Sequence, residues 1–109
     1  MSIIWSEQID SILNRGIFLD RWGVRNWALA RDDALHAIYE LQALGIAILG
    51  GDVYQLVGEN AEQTYDSWHC DQGPDESDSV FLKRSSDKAK SYILSCLMPK
   101  VLFSLVPKV

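Results

Sequence analysis

The sequence predicts an α+β fold: a central, mostly antiparallel sheet of three to five strands packed by about three helices. Three observations carry this. Residues 31–44 show a clear helical period, and they run into 46–49, an unbroken apolar segment too short for a helix and rich in strand formers. A second helical pattern follows late in the chain, separated from the first by alternating, glycine-interrupted segments, which is the element mixture of a layered α+β domain. The 109 residues, 48% hydrophobic and 10% aromatic, have an ordinary globular composition. That length suits one domain over residues 1–109, and the composition excludes disorder, collagen and coiled coil.

Taken in order, Ser6 is the N-cap of a helix over about 6–15, with Ile9, Ile12 and Leu13 on one face and Gly16 as its stop. Residues 17–26 fit neither period, because Asp20, Arg21, Gly23 and Arg25 interrupt the apolar residues, and read as a packed loop. Residues 27–30 read as a short strand or an extended lead-in to the next helix. That helix, about 31–44, has Asp32 and Asp33 in its first turn, where the helix dipole favours acids. Residues 46–49 then read as a strand buried on both faces. Gly50-Gly51 interrupts it, and extended structure resumes over 53–57 after a bulge or bend. Residues 58–64 are polar, 65–70 a further strand, 71–78 a loop, and 80–84 another strand. Ser85 or Ser86 caps the last helix, with Ala89, Tyr92, Ile93, Cys96 and Leu97 on one face, and 101–106 closes the sheet as an edge strand.

Charge narrows the function classes. The net charge of −5 resolves into −3 over residues 1–58, −7 over 59–79 and +5 over 80–109. Acidic overall, the chain is a poor candidate for binding nucleic acid directly. The middle block, Glu59, Glu62, Asp66, Asp71, Asp75, Glu76 and Asp78, has no base among it. Such a run is usually a solvated face; concentrated on a folded domain it also steers and holds a basic partner. Tyr65 and Trp68 sit inside the block, the composition of an interface hot spot, although strand alternation alone turns one of them inward. Trp27 and Tyr92 are assigned to the core.

The chemical constellations are weak. Cys70 follows His69, but neighbours on a strand point to opposite faces, so His69 is badly placed as its base. No paired metal-ligand spacing occurs, and no phosphate-cradling glycine pattern. Gly50-Gly51-Asp52 resembles a cyclase turn only superficially, since the preceding strand lacks the second acid. The N-terminus has no basic n-region or long apolar run, and no segment reaches the ~20 apolar residues of a membrane span. Two cysteines in 109 residues suit a reducing compartment, so a cytoplasmic protein without metal, cofactor or membrane partner is expected.

Together, Trp27-Ala-Leu, the Asp-led helix, Leu49-Gly50-Gly51-Asp52-Val53-Tyr54, Tyr65-Asp66-Ser67-Trp68-His69-Cys70-Asp71, Arg84-Ser85 and Tyr92-Ile93 resemble the immunity protein 40 family of bacterial polymorphic toxin systems. The resemblance covers about residues 22–93. It implies a cytosolic, non-catalytic protein, of the kind used in contact-dependent growth inhibition, that binds and neutralises a cognate toxin C-terminal domain. The acidic block adds that this toxin is basic, as nucleases are. Two rival readings remain: a small enzyme or ligand-binding domain using Asp52, His69 and Cys70, and an oligomerisation module using the apolar tail.

Overall fold

The structure, a computed structural model, describes residues 3–109. Helix α1 (Glu7–Leu13) starts where Ser6 accepts a hydrogen bond from the Ile9 amide, and it buries Ile9, Ile12 and Leu13. The segment expected as a loop contains a two-residue strand, β1 (Ile17–Phe18), and a 3-10 turn (Asp20–Trp22). β1 pairs with β2 (Trp27–Ala30), which leads directly into α2 (Arg31–Ala43). β3 (Ile48–Val57) and β4 (Asn60–His69) form a hairpin; α3 (Asp78–Ser95) and β5 (Val101–Pro107) complete the chain. The strands make one five-stranded sheet in the order β1-β2-β5-β3-β4, every pair antiparallel.

Four expectations are corrected. Segment 46–49 is not a strand buried on both faces: the strand starts at Ile48, Leu49 is exposed, and β3 runs through both glycines to Val57. The irregularity expected at the glycines is present as a slip against β5 between Ile48 and Gly50. Residues 58–64 are not a polar connector, because the turn is only Gly58-Glu59 and β4 begins at Asn60. Residues 80–84 are helical, and Ser77, not Ser85 or Ser86, caps α3 by accepting from the Val80 amide. Both later serines are buried in mid-helix, where their hydroxyls bond back to the Leu82 carbonyl at 3.2 and 2.7 Å. Finally, β5 is a central strand between β2 and β3, which explains why almost all of it is buried.

The sheet has two differently covered faces. On one, Leu29, Val53, Trp68, Phe103 and Leu105 pack against all three helices. On the other, Ala28, Tyr54, Ala61 and Leu102 are covered by Leu19 and by half-buried Ile17, Trp22 and Val24. That cover is short, so the outer face is left open around Asp52, which pairs with Ser104 on β5 and Ser67 on β4. β4 is the sheet edge, and intrachain donors blunt it: the Trp22 indole N–H bonds the Ala61 carbonyl at 2.8 Å, and Lys88 Nζ bonds that of His69 at 2.5 Å.

Candidate functional site

The quoted motif residues mostly fasten β3 and β4 to α3. Gly51 lies directly opposite Trp68, and a Cβ at Gly51 would fall on the Trp68 ring and the Ser104 carbonyl oxygen. Glycine is therefore required for the indole to cross the strand. Gly50, at φ 155°, faces the Trp68 carbonyl in the same way. Trp68 is 7% exposed and stacks on Tyr92 of α3, centroids 4.7 Å apart. Its role is packing, which removes it as a contact anchor. Ser85 accepts from the Ile48 amide at 3.2 Å, and half-buried Trp27 packs against the helical core and Phe18.

Asp52, His69 and Cys70 do not converge. Asp52 and His69 line one shallow cleft of about 200 Å³ on the outer side. Cys70 is buried with Ala47 and Phe81, and its Sγ accepts from Arg84 Nη1 at 3.2 Å. Among the described residues no group of three or more His, Cys, Asp or Glu side chains is arranged to hold a metal. No helix among them is long and apolar enough to cross a membrane.

The acidic block is strung along the edge of the molecule, not gathered in one patch. At about 3.3 Å per residue, β4 puts roughly 30 Å between Glu59 and Glu62 at one end and the 71–77 loop at the other. Glu62 accepts from Arg21 at 3.0 Å, and Asp78 lies 4.0 Å from Lys108. Glu76 is gripped by the fork of Arg84, with both carboxylate oxygens at 2.7 Å, and Oε1 also accepts from the Gly73 amide. These bonds, that to Arg84 first, hold the Glu76 carboxyl down at about 2. The same guanidinium bonds the Asp71 carbonyl at 2.6 Å. Arg84 thus ties the acidic loop to α3 and leaves Asp71 and Asp75 pointing into solvent without a cation among the described residues.

Midway along β4 the register jumps. Asp52 faces Ser67 and Tyr54 faces Gln63, so 64–66 stand against Val53 alone. The Thr64 hydroxyl plugs the gap, donating to the Val53 carbonyl at 2.9 Å and accepting from the Asp66 amide at 3.2 Å. Tyr65 is thrown outward: its φ is 68°, in the left-handed region, and it is 86% exposed. Beneath it a cleft of about 250 Å³ is lined by Asp52, Tyr54, Tyr65 and Asp66, with Val24 opposite. Burial first, and the Asp52 charge second, push the Tyr54 phenol up. Thr64, a threonine in a polar run, carries no local mark of its role, and Arg84 is marked in the sequence only through the Arg84-Ser85 piece of the resemblance, not as a clamp.

A search of curated proteins gives no match. The family description for Immunity protein 40, however, matches residues 18–107, which takes in every strand after the first residue of β1, two of the three helices, the Gly50-Gly51-Asp52 segment of β3, the Tyr65 bulge and the Arg84 clamp. The chain belongs to the immunity protein 40 family.

Proposed function

We propose that the chain neutralises a cognate toxin C-terminal domain in the cytoplasm by non-covalent binding, without catalysis, cofactor or direct contact with nucleic acid or membrane. Family membership supports the class. The contact surface is the outer side of β4 with the 71–78 loop: Tyr65 is the aromatic anchor, and Glu59, Glu62, Asp66, Asp71, Asp75, Glu76 and Asp78 supply the charge. The observation that carries the assignment is Tyr65, a large aromatic held almost fully in solvent on left-handed backbone. Strain of that kind is kept where function requires it, and an exposed aromatic within a charged rim is the makeup of a hot spot.

The blunted edge of β4 favours recognition through side chains over strand addition. A second copy placed edge to edge would set acids against acids, whereas a basic toxin, such as a nuclease, is attracted. Reversing Asp71, Asp75 and Asp78 to Lys tests this while leaving the Glu76–Arg84 clamp in place. Association with the toxin domain should slow by about tenfold or more at low salt and lose most of its salt dependence, since exposed charges act chiefly on the on-rate. An unchanged on-rate would remove the loop from the interface.

A further inference from the structure

We propose that two copies of this chain pair through the outer face of α3, with the two helices antiparallel and related by a two-fold axis. The helix buries Phe81, Ser85, Ala89 and Ile93 against the rest of the fold. Its opposite face carries Val80, Lys83, Asp87, Lys90 and Leu94, at alternating spacings of three and four. All five are exposed, and the two apolar ones are more than half so. Such spacing is that of a helix-to-helix seam.

The stripe holds both halves of a contact. Val80, Lys83, Arg84 and Asp87, at i, i+3, i+4 and i+7, surround with Ser79 a shallow hollow of about 430 Å³. Four residues so spaced form the hole that receives one apolar side chain of a facing helix. Leu94, exposed two turns or more further along the same stripe, supplies that side chain. In an antiparallel pair each Leu94 enters the hollow of the other copy, so the contact is isologous and closes at two chains. Charge selects this arrangement. With Leu94 over the hollow, Asp87 of each copy faces Lys90 of the other. Among the described residues Lys90 has no acidic partner, and Asp87 has only Lys83, at 2.9 Å, with more than half of its side chain exposed. A parallel pair would set Lys83, Asp87 and Lys90 each against its own counterpart. An antiparallel pair slipped so that Val80 meets Leu94 would set Asp87 on Asp87. Like charges face to face reject both. With half of its layers polar, the contact belongs to the small, weak class of specific interfaces.

The pairing needs no toxin, so its test stands apart from the proposed function. Sedimentation equilibrium of the full chain should show the apparent mass rising from that of a monomer toward twice that value between ~10 µM and ~1 mM, the range of a weak interface. Asp87→Lys and Lys90→Asp each place like charges face to face and should weaken the dimer by about tenfold or more, while the double swap restores the pairing. Leu94→Ala, which empties the hollow, should weaken it without touching charge. All three positions are exposed, so thermal unfolding of each variant should stay close to that of the parent. A chain that remains monomeric at ~1 mM, a dimer that neither single swap weakens, or a double swap that stays monomeric would overturn the assignment.

Discussion

Replacing Tyr65 by glycine separates the stability of the fold from the recognition role proposed for this residue. At φ 68° the Tyr65 Cβ crowds its own backbone, a penalty of about 1–2 kcal/mol for an L residue. Glycine removes that penalty but returns ~0.5–1 kcal/mol of chain entropy to the unfolded state. At 86% exposure the ring contributes little packing to offset the balance. The net effect is a gain of about 0.5–1 kcal/mol, a rise in Tm of a few degrees for a domain of this size. Toxin affinity should move the other way, falling by about 2 kcal/mol or roughly thirtyfold if the ring is a hot spot. Tyr65→Ala, which keeps the Cβ, should lose the affinity without gaining the stability. Urea unfolding and calorimetric titration read both quantities on the same samples. A glycine variant destabilised by more than 1 kcal/mol, or one that binds as tightly as the parent, would refute the reasoning.

Other positions test the framework. Trp68→Ala should cost about 3–5 kcal/mol in urea unfolding, because the indole fills the space over Gly51 and stacks on Tyr92. Trp68→Phe should cost far less, since the indole N–H has no partner to lose. Gly51→Ala should cost about 1–3 kcal/mol through overpacking against Trp68 and Ser104. The Glu76 carboxyl is lowered from 4.5 to about 2 in the folded state, so its contribution is complete above pH 4.5 and disappears as pH falls toward 2. Hydrogen exchange at the Gly73 amide should follow that window in the parent and be fast and pH-independent there in Glu76→Ala, which removes the acceptor, after correction for intrinsic exchange.

Much of the fold is legible in the sequence where burial follows a single period. α1, β2 and α2 fall where their patterns put them, since each buries one face against one neighbour. α3 is misread at its start because Val80, Phe81 and Leu82 look like a strand, although only Phe81 is fully buried and Val80 is exposed. Its serines look like caps but are buried small residues; one of them, Ser85, reaches the Ile48 amide. β5 is misread as an edge for its place at the end of the chain, whereas its apolar run, interrupted only by the buried Ser104, is the mark of a strand covered on both sides. The acidic composition of the site is plain in the sequence. What is not legible is its arrangement: the bulge depends on a cross-strand register, and register is set by pairing between strands that no local pattern records. Tyr65 and Trp68, three residues apart, fall on opposite sides as strand alternation predicts, but alternation does not say which of them turns under the helix.

The most direct test of the account is calorimetric titration of the chain into the toxin C-terminal domain proposed as its partner, at low salt. The account predicts saturable one-to-one binding that weakens as salt is raised and extinguishes toxin activity at equimolar ratio. Absence of binding at low salt, or binding that leaves the toxin fully active, would contradict it.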